Sequence, residues 1–201
     1  PRVSEKDFYN QLINYKPNQA LHTGSAWEAF FNQVAKEMAQ GKKFDFSCAK
    51  GWTVGGEGTD CKKFQKWNEI MHKANAQNDL FIGYGLSELF SAATASKLGA
   101  PLSYDKSIMS VGIPYAGINV GVFDEEGNEL SYNKRWNLRI KSASAMKEYY
   151  NKPELTKETI KDGWVHTGDL AETDENGFVY IWGRNKDSIT IVTIYDTLSE
   201  S

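Results

Sequence analysis

Leu80-Phe81-Ile82-Gly83-Tyr84-Gly85-Leu86-Ser87-Glu88 runs from an apolar strand into paired glycines, then into a hydroxyl and a carboxylate. Glycines at Gly83 and Gly85 permit a sharp turn and close approach of a ligand to the backbone. Tyr84 offers an aromatic face to a base or ring. The Ser87 hydroxyl suits a phosphate oxygen, and the Glu88 carboxylate suits Mg²⁺. A plainer reading stands beside this one: a strand-to-helix turn with Ser87 as N-cap and Glu88 favouring the helix dipole.

Upstream, a helix is expected from Asp60 to about Ala74, with Phe64, Trp67 and Met71 inward. Gly55-Gly56-Glu57-Gly58 precedes it and Leu80-Phe81-Ile82 follows it. Strand, glycine turn, helix, strand describes an α/β unit with a parallel sheet, where ligands gather at the carboxyl ends of strands. Earlier still, Trp27, Phe30, Phe31, Val34, Ala35 and Met38 form one helical stripe, with Ser25 to cap its start and Gly41 its end. This stripe, the first clear element of the chain, reads as core packing.

Past Ser103 the pattern changes to short segments: Ile118 to Phe123, Leu138 to Ser142, Trp164 to Thr167 and Phe178 to Trp182. The turn sequences Asp124-Glu125-Glu126-Gly127-Asn128 and Asp174-Glu175-Asn176-Gly177 punctuate them, and a helix around Pro153 to Lys161 interrupts them. The fold class is α/β: a partial parallel α/β subdomain over 1–105, then an antiparallel, β-barrel-like subdomain over 106–186. The boundary is expected near 100–112.

Two later stretches carry chemistry. In Asp162-Gly163-Trp164-Val165-His166-Thr167-Gly168-Asp169, an acidic side chain at a strand end could accept both hydrogen bonds of a ribose diol, or the stretch is a plain turn. His166 could move a proton, although a packed histidine is the simpler reading. In Gly183-Arg184-Asn185-Lys186-Asp187, Arg184 could clamp a phosphate or hydroxyl, and a surface loop explains it equally well.

Composition narrows the classes. With 201 residues, 40% of them hydrophobic and 13% aromatic, the chain can build a core. A net charge of −3 gives no electrostatic footing on nucleic acid. No apolar run approaches the roughly 20 residues of a membrane span. Cys48 and Cys61 suit a reducing cytosol, so a cytoplasmic location is expected, although an opening at Pro1 suggests trimming that could have removed a targeting segment. His22, His72 and His166 form no metal-ligand pair. Neither a Walker-type loop nor a dinucleotide glycine fingerprint is present, so a bound nucleotide would sit outside those two modes.

Taken in order, these motifs resemble the adenylate-forming superfamily of acyl-CoA synthetases and AMP-binding enzymes. The resemblance runs from about Leu12 to Lys186. It is carried by Gly83 to Glu88, by Met146-Lys147-Glu148-Tyr149-Tyr150-Asn151-Lys152-Pro153-Glu154-Leu155-Thr156, by Asp162 to Asp169, and by Gly177-Phe178-Val179-Tyr180-Ile181-Trp182-Gly183-Arg184. Each piece is weak alone; their order and spacing are specific. The resemblance implies a carboxylic acid, ATP and Mg²⁺ as reactants and metal, and CoA or a carrier-protein thiol as acceptor. It implies that Gly55, Gly56 and Glu57 line the adenine pocket with Gly85 nearby, and that Tyr84 stacks on the base. Ser87 would touch the α-phosphate and Glu88 hold Mg²⁺, these two being the catalytic pair. Asp169 would bind the ribose hydroxyls with Arg184 assisting, and Lys186 would be the hinge.

Departures accompany the likeness. The family's phosphate loop and its C-terminal lysine have no counterpart, so the chain is expected to be an inactive piece of the large N-terminal domain, with 187–201 a post-hinge tail. Arg135-Trp136-Asn137-Leu138 stands where Gly-Glu-Leu is usual, Glu148 replaces a glycine, and Ser87 replaces threonine. Two alternatives therefore remain: a non-catalytic remnant or interaction domain, and an amino-acid-activating adenylation domain.

Overall fold

A computed structural model describes residues 4–56, 58–96 and 108–185. The chain divides into two compact units, residues 1–84 with 95–109 and residues 85–94 with 110–201.

In the first unit, β1 (Gln19–His22) and β2 (Gly51–Val54) pair in parallel, as do β2 and the start of β3 (Phe81–Leu86). Helices α1 (Glu5–Tyr15), α2 (Gly24–Ala39) and α3 (Cys61–Lys73) supply the rest of the packing. The expected stripe on α2 buries Trp27, Phe30, Phe31 and Val34, whereas Ala35 and Met38 are only partly covered. Trp27 stacks on Phe31 with ring centroids 5.6 Å apart, and Phe31 stacks on Trp67 at 5.9 Å. The Trp27 indole donates to the carbonyl of Thr53 at 2.9 Å, tying α2 to β2 while satisfying a buried donor. Asp60 caps α3 by accepting from the Lys63 amide at 3.0 Å.

Two local expectations change and a third holds. Helix α1 precedes the stripe taken as the first element; a reciprocal capping box between Ser4 and Asp7 starts it, and Phe8 and Leu12 bury its inner face. Ser25 lies inside α2, with Thr23 in the cap position. Gly41, with φ +88°, does terminate that helix, its amide donating to Met38 O at 3.0 Å.

The second unit is built on an antiparallel sheet in the order β10-β9-β7-β6, formed by β6 (Ile118–Phe123), β7 (Trp136–Ser142), β9 (Trp164–Thr173) and β10 (Val179–Arg184). The two-residue β8 (Ile160–Lys161) pairs with β9 through the Asp162-Gly163 turn. Both turn residues have positive φ, as a tight hairpin requires. Helix α4 (Pro153–Thr159) begins on the proline. Strand β4 (Ser91–Ala95), as far as Thr94, and β5 (Ile113–Pro114) complete the unit, and the Tyr115 amide donates to Ala93 O at 3.1 Å. Leu138, Ile140, Val165, Ala171 and Val179 alternate inward from the sheet.

Candidate functional site

The glycines of the quoted stretch are strand residues: β3 continues through Gly83, Tyr84 and Gly85 to Leu86. The turn falls later, as a single 3₁₀ turn over Ser87–Leu89 closed by Phe90 at φ +58°. Ser87 does not cap that turn; Leu86 occupies the cap position and Ser87 is exposed. A Cβ on Gly55 would sit 3.7 Å from Gly83 O, an ordinary contact within the first unit, so the two strand ends lie side by side there.

At the carboxyl ends of β1 and β2, Gly55 donates to His22 O at 3.1 Å. Gly56 has φ +77°, which an L side chain rarely adopts. Gly55, Gly56 and the half-buried Tyr84 thus all belong to the first unit. Glu57 and Lys186 lie outside the described residues.

Gly85, Ser87, Glu88, Asp169 and Arg184 belong to the second unit. Opposite Leu138 of β7, strand β9 spends three residues, Thr167, Gly168 and Asp169, so a bulge interrupts the ladder. Gly168 makes this possible with φ +75°. The Thr167 hydroxyl fills the gap from both sides, donating to Leu138 O at 3.0 Å and accepting from the Asp169 amide at 3.0 Å. A second irregularity, between Ile181 and Gly183 of β10, brings Arg184 into register with Asp169. Arg184 Nε lies 3.0 Å from Asp169 Oδ1, and Arg184 Nη1 donates to Thr167 O at 3.0 Å. Asp169 is buried while the Arg184 side chain reaches solvent, so the pair links the strand interior to the surface. A carboxylate held this way can still accept from a diol beside it.

The 3₁₀ turn is held from one side. Met146 donates its amide to Glu88 O at 2.7 Å, Ser144 its hydroxyl to Leu89 O at 3.0 Å, and Tyr149 its phenol to Glu88 Oε1 at 2.5 Å. Burial, and then the bond to Glu88, push the Tyr149 phenol above its ordinary range. No sequence signal assigns Tyr149 this role, because its partner lies 61 positions away.

Around the end of β10, the Arg135 guanidinium lies 3.4 Å from the ring centroid of Trp182, and Asn185 donates to Asn137 Oδ1 at 2.7 Å. The segment departing from Gly-Glu-Leu is thus packed against the strand that carries Arg184. His166 is half-buried; burial first, then Arg139 and Lys161, hold its pKa below 6.5.

A family model described as AMP-binding enzyme matches residues 1–150, and Asp169 and Arg184 lie beyond that span. The chain belongs to this family. It is 36% identical over 181 residues to a long-chain-fatty-acid–CoA ligase of Salmonella typhimurium, covering 90% of this chain and 30% of that enzyme. It is equally similar, 36% over 181 residues, to a fatty acid–[acyl-carrier-protein] ligase of Streptomyces coeruleorubidus, covering 90% of this chain and 34% of that enzyme. Among solved structures, McyG A-PCP complexed with phenylalanyl-adenylate superposes with a TM-score of 0.79 at 27% identity, over 89% of this chain and 32% of that one. The chain therefore spans about a third of the length of these relatives.

Proposed function

We propose that this chain carries the adenosine-binding half of an ATP-dependent carboxylic acid ligase. In the reaction, a carboxylate oxygen of the acid attacks the α-phosphorus of ATP, and the bond to the β,γ-pyrophosphate breaks to release pyrophosphate. A thiol sulfur then attacks the acyl carbon, and AMP leaves. No protein nucleophile is needed; the demand is for positioned charge around phosphorus. The acyl group is a fatty acid in the favoured reading, because the ligases matched at 36% identity are named for fatty acids. The acceptor is CoA, with a carrier-protein thiol as the second possibility.

The observation that carries the proposal is the double irregularity that sets Asp169 beside Arg184 at a solvent-reaching strand end, in a chain of this family. Asp169 is assigned to the ribose hydroxyls and Arg184 to assisting it. Gly55, Gly56 and Glu57 are assigned to the adenine pocket with Gly85, Tyr84 to stacking on the base, Ser87 to the α-phosphate, and Lys186 to the hinge. Magnesium is assigned to Glu88. Among the described residues no group of three or more His, Cys, Asp or Glu could hold a metal ion. One carboxylate fits a Mg²⁺ that is bound chiefly by substrate phosphates and water. Bound there, the ion would offset the charge developing on the phosphate oxygens.

Because the relatives are about three times as long, we expect turnover to require parts of that length beyond these 201 residues. A cytoplasmic setting is part of the proposal, supported by Cys48 and Cys61 remaining thiols. No helix among the described residues is long and apolar enough to cross a membrane. A competing reading, a domain that keeps the fold without the reaction, rests on Arg135-Trp136-Asn137-Leu138 standing where Gly-Glu-Leu is usual and on the atypical sequence after Lys186. An amino-acid-activating adenylation domain is the third reading, suggested by the phenylalanyl-adenylate complex. Calorimetric titration with non-hydrolysable fatty acyl-AMP, fatty acyl-GMP and phenylalanyl-AMP analogues separates the three. Saturable binding of the fatty acyl-AMP analogue, with the other two at least tenfold weaker, is expected. Absence of binding by all three overturns the proposal.

A further inference from the structure

The three hydrogen bonds from residues 144–149 to the Ser87–Leu89 turn serve different ends. Two of them, Met146 N to Glu88 O and Ser144 Oγ to Leu89 O, fix backbone. The third reaches past the backbone to a side-chain oxygen, Glu88 Oε1. Glutamate has three rotatable side-chain bonds, and a half-buried carboxylate in the middle of a short turn would otherwise sample several rotamers. Tyr149 is itself held: its amide donates to Thr156 Oγ1 at 2.9 Å, and that hydroxyl donates to Lys152 O at 2.9 Å. The phenol is therefore presented from a segment anchored by the start of α4.

We propose that Tyr149 is a positioning residue for Glu88. Its phenol engages Oε1 and leaves Oε2 as the oxygen offered to the cation that accompanies the nucleotide phosphates. The inference rests on the assignment of Glu88 to Mg²⁺ made above. Ordering a carboxylate before the cation arrives removes an entropic cost from binding, so the bond acts on cation affinity and leaves nucleotide affinity alone.

The test is titration of the chain with α,β-methylene-ATP over a series of free Mg²⁺ concentrations. Wild type, Tyr149→Phe, Ser144→Ala and Glu88→Gln are compared, each checked for folding by circular dichroism. Tyr149→Phe keeps the ring and removes only the donor, and Ser144→Ala removes a neighbouring backbone tie while keeping the phenol. The expected result is that Tyr149→Phe needs about three- to tenfold more Mg²⁺ to reach half of the Mg²⁺-dependent gain in affinity, with Mg²⁺-free affinity moving by less than about twofold. Ser144→Ala leaves the Mg²⁺ midpoint in place, and Glu88→Gln abolishes the gain. An unchanged or lowered Mg²⁺ midpoint in Tyr149→Phe, with the gain still lost in Glu88→Gln, overturns the positioning role alone. An equal rise in Ser144→Ala also overturns it, because the effect would then be structural. Survival of the gain in Glu88→Gln overturns the assignment of Glu88 itself. Failure of the wild type to bind the nucleotide overturns both.

Discussion

Aromatic rings fill the core of the first unit, whereas in the second an aliphatic core carries a candidate site shaped by hydrogen bonds. Trp27, Phe30, Phe31, Trp52 and Trp67 are all buried and in edge or stacked contact within the first. In the second, the residues of the candidate site are tied by Thr167, Arg184 and the Asp169 amide across two irregular strands. Regular packing tolerates no missing volume, whereas a bulge gives up ladder bonds in order to aim particular groups. The lesson is that stability and chemistry are carried by different kinds of contact here, and substitutions should separate them.

The largest effect is expected in the aromatic core. Trp27→Ala removes a fully buried ring and a satisfied indole donor, and should cost about 3–5 kcal/mol, read as a shift in the urea unfolding midpoint. A loss below about 1 kcal/mol would mean that the ring packing is not what holds the first unit. Gly168→Ala tests the bulge. The added Cβ would meet Arg184 Nη1 at 3.5 Å, an ordinary contact, so the cost comes from φ +75° and should be about 1–2 kcal/mol. Its effect on adenylate affinity should exceed that of Trp27→Ala in whatever folded fraction remains, which sharpens the division between the regions.

How much of this was legible follows the same division. Helix α3 was readable because Asp60, Phe64, Trp67 and Met71 are local signals at helical spacing, and β6 because Ile118 to Phe123 is bounded by a turn sequence. Helix α1 carries one local signal, the capping-box spacing of Ser4 and Asp7, and only two residues, Phe8 and Leu12, bury its inner face. Gly83 and Gly85 suggest a turn, yet both are strand residues of β3, because glycine occurs in strands as well as turns and pairing with β2 decides the start of this one. Asp169 and Arg184 could be named from motifs. What sequence could not supply was the bulge that joins them, or the phenol that meets Glu88 across 61 positions.

A smaller effect is expected at His166. Its pKa is depressed in the fold, so the unfolded chain takes up the proton first as pH falls. Stability contributed by the neutral ring is therefore present above pH 6.5 and is lost as pH falls from there through the lower folded value. His166→Asn should shrink the difference in Tm between pH 7.5 and pH 5. An unchanged difference would place the acid sensitivity elsewhere.

The most direct test of the central claim is calorimetric titration of a non-hydrolysable fatty acyl-adenylate analogue into the wild-type chain and into Asp169→Ala, with folding of the variant verified by circular dichroism. The account predicts saturable binding by the wild type and a loss of at least tenfold, about 1.4 kcal/mol, in the variant. Equal affinity in the two proteins would contradict it, because the adenosine would then be held without the carboxylate on which the reading depends.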